Sequence, residues 1–160
     1  TIPALRTRLL GRSLLAVGIG GGLTLVLATQ GVLALDPWYL PRYVVPLAGM
    51  TFANAMTAVS LAAERVQAEL AHGGSWAKAR NTAYQAAMIP VINSLLAVGL
   101  VSLPGMMTGQ ILSGVSPLLA ARYQILIMCL IFAAAGLAAA LFLAGARRVL
   151  APPPAEDHGH

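Results

Sequence analysis

The chain has 160 residues, of which 58% are hydrophobic and 9% charged, with ten Lys and Arg against five Asp and Glu for a net charge of +5. A soluble domain of this size needs a polar shell that such a composition cannot supply, and no basic patch with interleaved aromatics points to nucleic acid as a partner. The lone Cys129 lies inside an apolar run, which excludes a disulfide framework and a paired-cysteine metal site.

The charges cluster, leaving uncharged stretches of roughly twenty residues, the length that crosses a hydrocarbon core of about 30 Å. The class implied is an all-α, polytopic helical membrane protein with four transmembrane helices, at about Ser13 to Leu35, Tyr43 to Ala63, Ala86 to Leu103 and Tyr123 to Leu143. The chain starts at Thr1, and its first apolar run is too long for a signal-peptide core and lacks a following A-x-A site, so it reads as a membrane helix. The missing Met suggests a fragment or a processed start. In this first span Gly18 and Gly22 form a GxxxG pair that would permit close helix contact.

After it, DPWYLPR holds Trp38 and Tyr39 between Pro37 and Pro41, which fits a short turn with aromatic anchors at the headgroup level. The second span, GMTFANAMTAVSLAAER, places Thr51, Asn54 and Ala58 on a shared face. Its charged end, ERVQAEL, continues the helix beyond the membrane surface. Residues 64–84 then form a charged loop in which His72-Gly73-Gly74 breaks one helix and Ser75 caps a short new one, SWAKARNTAYQ, giving a helical elbow.

The third span carries Pro90, a plausible hinge, one turn before Asn93. Burying an amide in lipid without a partner is costly, so Asn54 and Asn93 should face other helices, bonding across an interface, or line a water-filled path. A broken segment follows: LPGMMTGQILSGVSP, Leu103 to Pro117, where Pro104 and Gly105 can end the third helix, Thr108 to Ser113 can form a short turn or helix, and Ser116-Pro117 can start the next. The fourth span has small-xxx-small spacing at Ala135, Gly136, Ala139 and Ala140. The tail, residues 151–160, is Pro-rich and polar and reads as disordered, with His158 and His160 too loosely held to make a metal site.

Orientation follows from positive charge. With a cytoplasmic N-terminus, Arg6, Arg8, Arg12, Arg65, Lys78, Arg80, Arg147 and Arg148 lie inside and only Arg42 and Arg122 outside, so both ends of the chain and the elbow are cytoplasmic. Chemistry is sparse: every Asp and Glu lies in a loop, at a helix end or on the tail, no HExxH or GxSxG occurs, and the single lysine, Lys78 in AKA, is not part of a phosphate-binding loop. No catalytic residue is expected, and any ATP must be bound by another chain.

Three stretches carry a family likeness: PWYLPRYVVPLAGMTFANAMTAVSLAAER (Pro37 to Arg65), IPVINSLLAVGLVSLPGMMTGQ (Ile89 to Gln110), and LVSLPGMMTGQILSG with Ser116-Pro117 and RYQILIM (Leu100 to Met128). Together they closely resemble the FetB-type permeases, the membrane subunit of an ABC transporter implicated in iron export. The resemblance implies a permease domain over residues 1–150 in a bacterial inner membrane, with a second permease copy and a separate ABC ATP-binding subunit that holds ATP and Mg as partners besides the lipid bilayer. It places the coupling element on Gly73 to Arg80, with Gly74, Ser75, Trp76, Lys78 and Arg80 as contacts and Trp76 as the plug into a groove on the ATPase. Members of the family are longer, with further helices before the first span, and their loop corresponding to Glu64 to Gly74 is longer too.

The substrate pathway expected is Asn54, Asn93, Met106, Met107, Thr108 and Gln110, the last four at an outer gate. Thioethers suit soft metals, while a His and carboxylate iron site is not evident, so the metal ligands stay open. The plant members are linked to aluminium tolerance with a sugar nucleotide as proposed cargo, which leaves a non-metal cargo as one alternative. The other is a passive, channel-like or structural subunit with the GMMTGQ segment re-entrant.

Overall fold

A computed structural model describes residues 2–32, 41–98 and 105–150. Within them the chain is helical throughout: α1 (Ile2–Val26) runs on as a π-helical turn (Leu27–Val32), followed by α2 (Pro41–Ala71), α3 (Trp76–Ala97), α4 (Gly105–Leu112) and α5 (Pro117–Leu150). Residues 36–40 of the DPWYLPR turn with Trp38 and Tyr39, Pro104, the last residues of the expected first and third spans, and the 151–160 tail lie outside the described residues, while Pro41 and Arg42 begin α2.

Three helices among the described residues are long and apolar enough to cross a membrane, at Leu9–Gly31, Val44–Ala71 and Pro117–Leu150. The first part of the expected third span, residues 86–97, falls within α3, which is not among these three. There the elbow helix and the span form one continuous rod, with Pro90 carried inside it on an exposed position. The fourth expected span is embedded in a longer helix, because Pro117 starts α5 six residues before Tyr123 and the basic Arg147-Arg148 pair ends it. At 34 residues α5 is about 50 Å long, more than a bilayer core requires.

α5 is the hub. It packs against α1, α2, α3 and α4, and 56% of its most apolar stretch is buried within the protein, against 28% for each of the other two spanning helices. Gly20 of α1 meets Ala138 and Arg12 bonds to Gly145, so these two helices run antiparallel. α3 is also antiparallel to α5, with Tyr84 beside Gly136 and Trp76 sharing a cavity with Arg147. The result is an up-and-down bundle of α1, α2, α3 and α5, with α4 folded onto α5.

More than half of the buried hydrophobic side chains are alanines, including Ala55, Ala58 and Ala62 on α2, Ala79, Ala83 and Ala87 on α3, and Ala134, Ala135, Ala138 and Ala139 on α5. Phe142 and Leu143 are buried with them, but many large residues point outward: Leu14 is 71% exposed, Leu15 64% and Ile125 65%. This distribution suits lipid, where apolar side chains gain nothing by hiding and close backbone packing is what holds helices together.

The close contacts of α1 are not those the GxxxG spacing suggested. A Cβ on Gly18 or Gly22 would meet nothing within 4 Å, whereas one on Gly20 would lie 2.8 Å from the backbone nitrogen of Ala138 and one on Gly21 2.7 Å from the Phe52 ring. Gly18 faces outward, and the adjacent pair Gly20-Gly21 fills the seam because it sits between two helices at once. The small residues of α5 behave as expected for Ala135, Gly136 and Ala139, which are buried, while Ala140 is exposed.

Buried hydroxyls are satisfied by their own helices: Thr24 donates to the carbonyl of Gly20 at 2.7 Å and Thr29 to that of Leu25 at 2.9 Å. Thr51 differs, being fully buried with a hydroxyl that has no partner among the described residues.

Two substitutions test this packing by thermal unfolding in detergent. Gly20→Ala should lose about 1–3 kcal/mol by overpacking against a backbone that cannot yield, while Gly18→Ala should be neutral or gain up to about 1 kcal/mol. Thr51→Val, which keeps the shape and removes the orphan hydroxyl, should stabilise by about 1 kcal/mol.

Candidate functional site

The α2 to α3 reversal is built by its sequence. Gly73, with φ of 78°, takes the left-handed conformation that residues with a Cβ avoid, its N–H donates to the Leu70 carbonyl, and the Gly74 N–H reaches back to the Glu69 carbonyl at 3.1 Å. That pair of bonds closes the end of α2. Gly74 must also be small, since a Cβ there would sit 2.9 Å from the Glu69 carbonyl oxygen. Ser75 then caps α3 by accepting from the Lys78 N–H at 3.5 Å.

The same arrangement recurs at the other reversal. Gly114 has φ of 90°, the Gly114 N–H donates to Ile111 and the Val115 N–H to Gln110, both at 3.0 Å, and Ser116 accepts from the Leu119 N–H ahead of Pro117. The SGVSP that ends the broken segment is therefore a helix stop followed by a helix start, and the short helix Gly105–Leu112 is longer at its beginning than Thr108 to Ser113.

Bundle topology collects positive charge at one end. The start of α1, the end of α2, the start of α3 and the end of α5 coincide there, so Arg12, Arg65, Lys78, Arg80, Arg147 and Arg148 lie at that end and Arg122 at the opposite one. Arg12 donates to the carbonyl of Gly145, tying α1 to α5. Arg65 pairs with Glu69 at 2.7 Å along α2.

Of the residues expected to contact an ATPase, Gly74 and Ser75 shape the turn, Lys78 and Arg80 are exposed, and Trp76 is half-buried. The Trp76 side chain packs onto the core and borders a cavity with Arg80 and Arg147, so it is already engaged within its own chain. Arg80 reaches the neighbouring Asn81 side-chain oxygen at 3.2 Å.

The expected pathway residues fall into two groups. Met106, Met107, Thr108 and Gln110 are half-buried on α4, which packs against α5, and Met106 touches the core. Asn54 and Asn93 do not bond across a helix interface. Asn54 is half-buried beside the Thr51, Ala55 and Ala58 stripe and donates to the Met50 carbonyl of its own helix at 2.8 Å, while Asn93 is exposed on α3. The expected shared face splits because the 100° step of the helix leaves Asn54 at its margin.

Outward faces differ in polarity along the spans. α1 presents Leu14, Leu15, Ile19 and Leu23, and α5 presents Ile125 and Phe132. α2 and α3 also present Thr57, Ser60, Asn93 and Ser94. Thr57 and Ser94 bond the carbonyls four residues before them, at 3.0 and 2.9 Å. Asn93 is an exposed amide and calls for water or protein around it rather than lipid. Sequence reasoning overlooked Thr57 and Ser60, whose signal was a polar pair spaced three apart on an otherwise alanine-rich helix. Among the described residues no three His, Cys, Asp or Glu side chains gather to hold a metal.

Residues 4–150 match the model of a family described as "Uncharacterised protein family (UPF0014)". The chain is 39% identical over 132 residues to the UPF0014 membrane protein slr1647 of Synechocystis, covering 73% of this chain and 51% of that one. It is 36% identical over 141 residues to the "Probable iron export permease protein FetB" of Escherichia coli, covering 78% and 53%, respectively. To the UPF0014 membrane protein STAR2 of rice it is 36% identical over 141 residues, covering 78% and 48%. The chain thus spans about half the length of the curated relatives it matches. No solved structure matches it.

The turn geometry makes a checkable demand. Gly73→Ala and Gly114→Ala should each cost about 1–2 kcal/mol of thermal stability in detergent, because each forces a side chain into positive φ. Gly109→Ala, in open space within α4, should cost nothing.

Proposed function

The chain belongs to the UPF0014 family of membrane proteins, and from that membership we propose that it is the membrane-spanning permease part of an ABC transporter that exports iron or a related metal. The observation that carries this reading is the 36% identity to the relative named for iron export, which spans most of this chain. In this reading a separate subunit binds and hydrolyses ATP with Mg, two permease copies pair, and the protein sits in a bacterial inner membrane. α3 belongs to a fourth crossing, and the basic end faces the cytoplasm, as the positive-inside rule favours.

The α2–α3 turn is then the coupling element. Its tip, His72 to Ser75, is exposed or half-buried at the basic end, and α2 and α3 extend from it through the bundle as continuous helices. Closure of an ATPase pair against this tip would move both helices together. Such movement transports cargo only if cargo affinity differs between the inward and outward arrangements. The polar outward faces of α2 and α3, with Asn93, Thr57 and Ser60, are the side along which a hydrated route would run, and Met106, Met107, Thr108 and Gln110 on α4 stand toward the opposite end as its gate.

The test is efflux from inverted vesicles that hold the full-length permease with its ATPase, comparing iron with other metals. ATP-dependent iron flux is expected, and flux of only a non-metal cargo, or conduction without nucleotide, would reject the reading. Asn93→Leu should lower transport at least about fivefold while leaving thermal stability unchanged, since the residue is exposed. Trp76→Ala should abolish stimulation of the ATPase and also destabilise the permease by about 2 kcal/mol through lost packing.

A further inference from the structure

Two cavities open between α3 and α5 at the basic end of the bundle. One, about 410 Å³, is lined by Arg80, Asn81, Tyr84 and Gln85 against Ala140, Leu143 and Ala144. The other, about 430 Å³, is lined by Trp76, Arg80 and Arg147 against Leu143 and Ala144. They share Arg80, Leu143 and Ala144, so they form one groove with a divided chemistry. Guanidinium groups and an indole lie toward the helix ends, amide and phenol groups lie midway, and small apolar residues of α5 form the floor. No acidic side chain lines either cavity among the described residues.

The groove stays open because α5 is small where it faces α3. A Cβ on Gly136 would come within 3.2 Å of the Tyr84 hydroxyl, and Ala140 and Ala144 leave room beside it. Its position is where apolar helix gives way to charge, the depth of a lipid headgroup. The first turn of α3 adds its positive end to the two arginines.

We propose that this groove is a binding site for an anionic phospholipid, whose phosphate is held by Arg80 and Arg147 and whose acyl chain lies along the floor of Ala140, Leu143 and Ala144. Arginine forks match phosphate oxygens, the indole of Trp76 fits the interface, and basic pockets between membrane helices on the cytoplasmic side take up such headgroups. The site adjoins the turn proposed to couple to an ATPase: His72 to Ser75 do not line it, but Trp76 and Arg80, which the family resemblance also places at the coupling contact, do. The inference needs only a membrane and stands whether or not the protein transports metal.

Native mass spectrometry of the purified full-length protein in detergent tests it, with phosphatidylglycerol, phosphatidylcholine or inorganic phosphate added. Phosphatidylglycerol should be retained about tenfold better than phosphatidylcholine. The Arg80→Gln/Arg147→Gln double variant should lose that preference, and Arg65→Gln, at the same end but outside the groove, should keep it. Equal retention of the two lipids, an unchanged double variant, or equal loss in Arg65→Gln would overturn the proposal. Displacement of the lipid by millimolar inorganic phosphate would also overturn it, in favour of a soluble phosphate ligand. Should the double variant fail to fold, Arg147→Gln alone decides the matter, because Arg147 is exposed.

Discussion

The fold rests on how closely helices can approach when their seams are made of alanine and glycine. In lipid there is no hydrophobic force between helices, so association draws on dispersion between closely fitted backbones and on the few hydrogen bonds available. Gly20 against Ala138 and Gly21 against Phe52 fix how α1 lies on α5 and α2, and the alanine stripe of α5 lets it touch all the other helices. Everything positioned at the bundle ends, charged or polar, inherits its place from these seams. The groove beside Tyr84 is the same constraint seen from outside, because residues small enough to admit a neighbouring helix also leave space where none is present.

Two reversals repeat one solution. Each uses a left-handed glycine to stop a helix, a pair of backward N–H bonds to satisfy its last carbonyls, and a serine to start the next helix within two residues. Such compact turns leave few unsatisfied backbone groups, which matters where a chain re-enters an apolar phase. They also hold charge in place. With the α2–α3 turn tight, Arg65, Lys78 and Arg80 cannot spread from the ends of α1 and α5, and their collection at one end follows from connection length and helix direction.

Much of this was legible in the residues. Long apolar runs located most of the helices, and HGGS announced its turn because cap chemistry is local, while the stop at Gly114 went unread. The start of α5 at Pro117 was readable from Ser116-Pro117, although hydropathy placed the span several residues later. The rotation of each helix was not legible. Gly18, Gly20, Gly21 and Gly22 offer several faces of α1 that a neighbour could accept, and only the partner's shape selects Gly20-Gly21. Asn54 and Asn93 looked alike as polar residues in apolar spans, yet a step of 100° per residue turns one to a margin and the other outward. The continuity of α3 was also hidden, since Pro90 and the change from charged to apolar sequence suggest a break that intact helix on either side of the proline does not show.

Under the proposed permease function, charge at the basic end bears directly on what could pass through. A free divalent cation approaching Arg12, Lys78, Arg80, Arg147 and Arg148 meets a like-charged collar, with an interaction reaching about one Debye length, roughly 8 Å at physiological ionic strength. For an anionic metal complex the same collar is an attractor. Anionic phospholipid in the α3–α5 groove would neutralise part of it at Arg80 and Arg147, lowering the barrier for a cation and weakening the attraction for an anion. Under that same function, the lipid composition around this end would act on cargo entry through electrostatics and, because Arg80 belongs to α3, would also bear on one of the helices proposed to move.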